Sequence, residues 1–192
     1  MQEIKFTTTT DFQIFKDYWM FSLFEKKGPN GKMNAFAKFV TVLCVLIGIA
    51  LVLLICNYTL LDNAMGVVPV ILLGAVVAAF VSCYITVTRT QPKRQYKAVQ
   101  QAVENPQKYT FTQDKMEVRE YDAEEDRETL AEFSYDDLVY GYETPTAFYL
   151  FINDINAFLI PQKQLEGITP GEFAAFLREK LGERYLKSKK CS

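Results

Sequence analysis

FVTVLCVLIGIALVLLICNYTLL, residues Phe39 to Leu61, runs for 23 residues without a charge, and NAMGVVPVILLGAVVAAFVSCYITVT, residues Asn63 to Thr88, for 26 more. A helix rises about 1.5 Å per residue, so roughly 20 apolar residues cross a hydrocarbon core about 30 Å thick. Both stretches reach that length. Pro69 falls in the first turns of the second, where a missing N–H costs least. Two consecutive helices apolar on every face need a larger soluble shell to bury them than a chain of 192 residues has left. A cleaved leader is disfavoured, because the first run begins near residue 39, is too long and is followed by a second. The pair therefore predicts a transmembrane hairpin.

The flanking charges orient it. Lys26, Lys27, Lys32 and Lys38 precede the first run, and Arg89, Lys93, Arg94 and Lys97 follow the second, while the connection at Leu61, Asp62 and Asn63 has no cation. Cations stay on the cytoplasmic side, so both termini are expected there and only a short loop outside. The lipid bilayer is thus the first partner, and these eight cations are its candidate surface contacts, each contributing about 1 kcal/mol against an anionic leaflet. Neither run contains an ionisable side chain of the kind that proton relays and ion pathways need. Small residues recur at four-residue spacing in the second run: Gly74, Ala78 and Ser82, beside Ala75, Ala79 and Cys83. Such a strip admits another helix. The preferred reading packs it on the first helix around Cys44 and Gly48; the other docks a partner helix.

Composition removes several chemistries. There is no histidine, hence neither the commonest general base nor the commonest metal ligand. Cys44, Cys56 and Cys83 lie in the apolar runs and Cys191 is penultimate, with no C-x-x-C pair, so neither a disulfide framework nor a zinc site is expected and no cofactor is implied. Acylation of Cys191 beside Lys187, Lys189 and Lys190 is conceivable, but an unmodified basic tail is preferred. A net charge of −2 does not supply the concentrated cationic face that nucleic acid requires.

Outside the hairpin the chain alternates between periods. Ile4–Thr8 reads as a short strand, and Thr10-Asp11-Phe12-Gln13 fits a capping box for a helix with Phe12, Phe15 and Trp19 on one face, stopped at Gly28-Pro29-Asn30-Gly31. Tyr18 and Trp19 suit either an interfacial anchor or a face packed on the cytoplasmic part. Residues 89–107 read as a basic connector with a short helix over Lys97–Val103, ended by Asn105-Pro106. From Lys108 the period becomes two. Strands are expected at Tyr109–Thr112, Met116–Glu120, Thr129–Phe133, Val139–Glu143, Ala147–Ile152 and Ala157–Ile160, with aromatics such as Phe111, Phe133, Tyr140, Phe148, Phe151 and Phe158 as core. Thr169, Pro170 and Glu172 then open a helix whose apolar face runs Phe173, Phe176, Leu177, Leu181 and Tyr185. The expected fold class is an α+β membrane protein: a two-helix hairpin with a cytoplasmic antiparallel β domain, pleckstrin-homology-like (PH-like), closed by a C-terminal helix. The segments are 1–34, first span 35–61, external loop 62–65, second span 66–88, connector 89–107 and β domain 108–192.

This order of parts resembles the YcxB-like family of bacterial membrane proteins. The matching features are Phe133-Ser134-Tyr135-Asp136-Asp137-Leu138-Val139 entering a strand, Phe148-Tyr149-Leu150-Phe151, Phe158-Leu159-Ile160-Pro161-Gln162-Lys163 and the capped last helix. The resemblance implies two spans, a PH-like C-terminal domain and the bacterial cytoplasmic (inner) membrane; it implies no chemistry. The family tends to carry Trp where this chain has Tyr135, and a more basic pair after the proline.

Three functions follow. The first is a non-enzymatic scaffold or sensory module whose β domain binds a cytoplasmic peptide, another protein or lipid, by a sheet edge or the groove beside the last helix. Residues Asp114–Asp137 hold 11 acidic against 3 basic residues, a net of −8, which predicts weak binding to anionic lipid. The second is an enzyme using carboxylates such as Asp136 with Asp137 or Glu124-Glu125-Asp126 around a divalent cation. The third is an accessory subunit of a transporter or another membrane protein complex, docked through Gly74 and Ala78.

Overall fold

A computed structural model of the chain describes residues 3–26, 35–60, 67–122 and 127–188. Lys27, Lys32, the stop at Gly28–Gly31, the loop 62–65, the acidic tip 123–126 and Cys191 with Lys189 and Lys190 lie outside the described residues. Two compact units form, one from Met20–Arg94 and one from Met1–Trp19 together with Gln95–Ser192.

The first unit is built on two helices, α2 over Ala35–Leu60 and α3 over Val68–Ile85. By length and composition both can cross a membrane. Their large apolar side chains point outward: Leu53 is 63% and Ile71 66% exposed. In water, that much exposed apolar surface is costly. At one end Phe24, the last residue of α1 (Phe12–Phe24), stacks edge-on against Phe36 at 5.6 Å and lies 6.5 Å from Tyr84, with Phe21 and Ala37 buried.

The helical backbone does not stop after the second apolar run. A π-helical turn, Thr86–Thr90, leads into α4 at Gln91–Glu104, so the basic connector is helical from its first residue and not only over Lys97–Val103. Pro92 explains the turn. In an α-helix its ring would strike the Thr88 carbonyl four residues back. One extra residue per turn relieves that clash, and the Gln91 N–H reaches the Thr86 carbonyl instead. The Thr86 and Thr88 hydroxyls donate to the Ser82 and Tyr84 carbonyls. As expected, α4 ends just before Asn105-Pro106.

The second unit departs from a six-stranded meander. It holds two four-stranded sheets. The first, all antiparallel, runs β1 (Ile4–Thr8), β2 (Gln107–Phe111), β3 (Lys115–Asp122), β4 (Arg127–Ser134). The second places β5 (Tyr140–Glu143) between β6 (Ala147–Phe151) and β8 (Tyr185–Lys187), with β7 (Ala157–Pro161) beyond β6. The N-terminal strand therefore belongs to the β unit, Phe6 opposite Tyr109. The helix α5 (Pro170–Leu181) is not the last element, and Tyr185 is not on its face. Gly182, at φ 55°, turns the chain so that β8 pairs parallel with β5.

Alternation puts Phe148 and Leu150 on one face of β6 and Tyr149 and Phe151 on the other. The first face joins Phe6, Phe111, Met116, Phe173 and Leu177 in the core. Gly141 of β5 is closely covered by this core: an added Cβ would sit 2.7 Å from Leu181 Cδ1 and 3.3 Å from Leu150 Cδ2. The second face is a layer of phenols, with Tyr18 of α1 5.2 Å from Tyr149, and Tyr140 5.2 Å from Phe151. Phe12 and Phe15 meet Tyr96 of α4 edge-on at 5.4 and 5.5 Å, so this face of α1 packs inside the unit. Its cap is Asp11, whose Oδ1 accepts the Ile14 N–H at 2.8 Å. Thr10, expected to cap, is buried and gives its N–H to the Val103 carbonyl.

Candidate functional site

The candidate membrane-surface cations within the described residues sit on helices or at their ends. Lys26 follows α1 and Lys38 is exposed on α2. Arg89, Lys93, Arg94 and Lys97 are all exposed, whereas Pro92 and Tyr96 are buried. One side of this helix is therefore apolar and packed, and the other carries the charge.

The small-residue strip is open. Gly74, Ala78 and Ser82 border an apolar hollow of about 840 Å³ together with Leu51 and Leu54. A Cβ built on Gly74 or on Gly48 would meet nothing within 4 Å, so neither glycine marks a close crossing of α2 and α3. Leu51 and Leu54 of α2 are the strip's neighbours around this hollow.

The carboxylates put forward for catalysis hold local structure. Asp137 closes a capping box on the turn Tyr135–Asp137, its Oδ2 accepting the Ser134 N–H at 2.7 Å. Asp136 Oδ1 accepts from Arg184 Nη2 at 3.2 Å, and the same guanidinium donates to the Leu138 carbonyl at 2.7 Å. Glu124, Glu125 and Asp126 lie outside the described residues. Among the described residues no group of three or more Cys, Asp or Glu side chains is placed to hold a metal ion.

The feature that sequence reading located only in outline is a groove between β1 and α5. β1 is an edge strand, bonded to β2 on one side. On its α5 side lies a hollow of about 560 Å³ floored by Ile4, Ile168, Ala175 and Phe176. Its rim carries the carboxylates of Glu3, Glu166, Glu172 and Glu179 against the single ammonium of Lys5. On the outer side of the same edge a second hollow of about 390 Å³ is lined by Lys5, Thr7, Lys108, Glu117, Arg119 and Glu166. Glu166 borders both. One end of the edge is closed by Gln164, whose Oε1 accepts the Thr9 N–H at 2.7 Å.

Electrostatics around the groove are those of a rigid frame. Thr169 and Glu172 form the expected capping box, the Thr169 hydroxyl and N–H holding the Glu172 carboxyl below its usual value. Lys115 bridges Glu132 at 2.8 Å and Glu117 at 2.9 Å across β3 and β4, which lowers Glu117 and raises Lys115. Burial pushes the phenols of Tyr109, Tyr135, Tyr140 and Tyr149 upward, so they remain neutral hydrogen-bond donors.

Comparison with protein-family models, with curated proteins and with solved structures yields no match. Function therefore has to be argued from the site.

Proposed function

We propose that this chain is a non-enzymatic integral membrane protein of the YcxB-like type, presenting a PH-like domain as an interaction module at the cytoplasmic face of a bacterial inner membrane. The carrying observation is that two helices with outward apolar side chains share a chain with a β unit whose edge strand flanks an apolar groove. Two sheets closed by a capped helix suit the PH-like assignment. The cations at Lys38, Arg89, Lys93, Arg94 and Lys97 support cytoplasmic termini. The acidic stretch Asp114–Asp137 favours protein over anionic lipid as the partner.

Alkaline carbonate washing of membranes tests the anchorage: the chain stays in the pellet. A tag on Ser192 stays hidden from protease in unbroken cells and becomes accessible after permeabilisation. A photo-reactive side chain at exposed Ala175 tests the module and yields a protein adduct in native membranes. Release by alkali, or a tag cleaved in unbroken cells, sinks the membrane reading; recovery of unmodified monomer alone sinks the protein-binding one.

The open strip at Gly74, Ala78 and Ser82 favours a second reading, an accessory subunit docked on partner helices. Cross-linking from Ala78 within the membrane distinguishes it, since the first reading requires no adduct there.

A further inference from the structure

We propose that the seat between β1 and α5 takes an extended cationic–apolar segment of a partner protein, added antiparallel to β1 as a fifth strand of the first sheet. This rests on the interaction-module reading and names its partner chemistry.

An edge strand leaves alternate backbone N–H and C=O groups without a neighbouring strand, which is the template for strand addition. The other edges are less suited. β4 carries Arg127, Glu128 and Glu132, charges that blunt an edge; β7 ends in Pro161; β8 has three residues. Beside β1, hollows flank the edge on both sides.

Those two hollows set the side-chain pattern. Successive side chains of an added strand point to opposite faces. On the α5 side they meet Ile4, Ile168, Ala175 and Phe176, which favour an apolar residue. On the other side they meet Glu166 and the outer face of β1–β3, where Lys5, Lys108 and Arg119 are already paired with Glu3, Glu128 and Glu117 at 2.8, 2.9 and 3.7 Å. Glu166, which borders both hollows and has no ion-pair partner among the described residues, favours Lys or Arg at the alternate positions. The ligand class is thus an extended segment in which Val, Ile or Leu alternates with Lys or Arg.

The test uses the full chain in a neutral detergent and a labelled peptide, acetyl-Lys-Val-Lys-Val-Lys-Val-Lys-amide, followed by fluorescence anisotropy. Ala175→Trp fills the apolar hollow, and Glu166→Lys with Glu179→Lys reverses the rim; all three positions are exposed, so the fold is retained. Saturable binding is expected, weakened at least about tenfold by either variant, by N-methylation of alternate peptide amides and by Glu in place of Lys. Absence of saturable binding, or equal binding to wild type and both variants, overturns the assignment while leaving the carbonate result intact. A dimer that Ala175→Trp dissolves also overturns it, because a second copy would then occupy the edge.

Discussion

Replacing Phe6 by Ala tests whether the N-terminal strand is an integral part of the β unit. Phe6 is 4% exposed. Its ring stacks at 5.7 Å on both Tyr109 and Phe111 and meets Phe173 edge-on at 5.5 Å. Truncating a buried Phe costs about 3–5 kcal/mol, transfer and cavity terms together. An edge strand relaxes into the gap more easily than a central one, so the lower half of that range, about 3–4 kcal/mol, is expected here. Against a total stability of about 5–15 kcal/mol this is a large fraction, and it lowers the melting temperature by roughly 10–20 °C. Near-ultraviolet circular dichroism of the packed tyrosines, followed on heating the full chain in neutral detergent, reads it directly. Thr7→Ala on the same strand is the control: Thr7 is exposed, and the change should stay within about 0.5 kcal/mol. If Phe6→Ala costs less than about 1 kcal/mol, β1 does not seal the core and the groove beside it has no rigid wall.

Other outcomes follow from named contacts. Thr169→Ala removes the acceptor of the Glu172 N–H and should cost about 1 kcal/mol in the same melt. Because the Glu172 carboxyl is held below its usual value, the cap contributes above the unfolded carboxyl range and is lost as pH falls through the folded value; an unchanged melt between pH 6 and pH 3 in Thr169→Ala relative to wild type would contradict only the stabilising cap. The buried phenols of Tyr109, Tyr135, Tyr140 and Tyr149 have the opposite sign of pH dependence. The folded state keeps their protons while the unfolded chain loses them near pH 10, so stability is full below that pH and falls above it, together with a delayed rise in tyrosinate absorbance. Pro92→Ala should let residues 86–91 return to α-helical bonding, gaining about 1–2 kcal/mol of the roughly 3 kcal/mol an interior proline costs, seen as slower amide exchange there. Unchanged exchange would assign the π turn to another cause.

Local signals in the sequence were reliable where one segment carries its own reason. The capping box at Thr169 and Glu172, the end of α4 before Asn105-Pro106 and the two apolar helices all rest on contacts within a few residues. Differences arose where burial or a neighbouring residue overrides a local pattern. Thr10 suits a helix cap, but it is buried and Asp11 takes that role. The connector reads as a basic stretch with a short helix over Lys97–Val103, but a π turn accommodates Pro92 and the helix runs from Gln91. The small-residue strip reads as a helix contact, and an apolar hollow lies beside Gly74.

The groove shows the division most plainly. Ile4, Lys5 and Phe6 alternate like any short strand, and Phe173 and Phe176 mark a helix face. Nothing in either segment names its partner across more than 150 residues, because pairing is decided by which apolar faces can be covered at once.

Composition and periodicity alone determined that two stretches are long and apolar enough for a membrane, that the remainder is β-rich and that its last helix is capped. Hydrophobic length, side-chain period and capping are properties of neighbouring residues, so the chain displays them before it folds. Only the tertiary structure decided that β1 joins β2, that β8 runs parallel to β5 and that an acidic-rimmed groove opens between β1 and α5. Those outcomes depend on burying Phe6, Phe111 and Phe173 against one another, a competition among distant segments that is settled only when they meet.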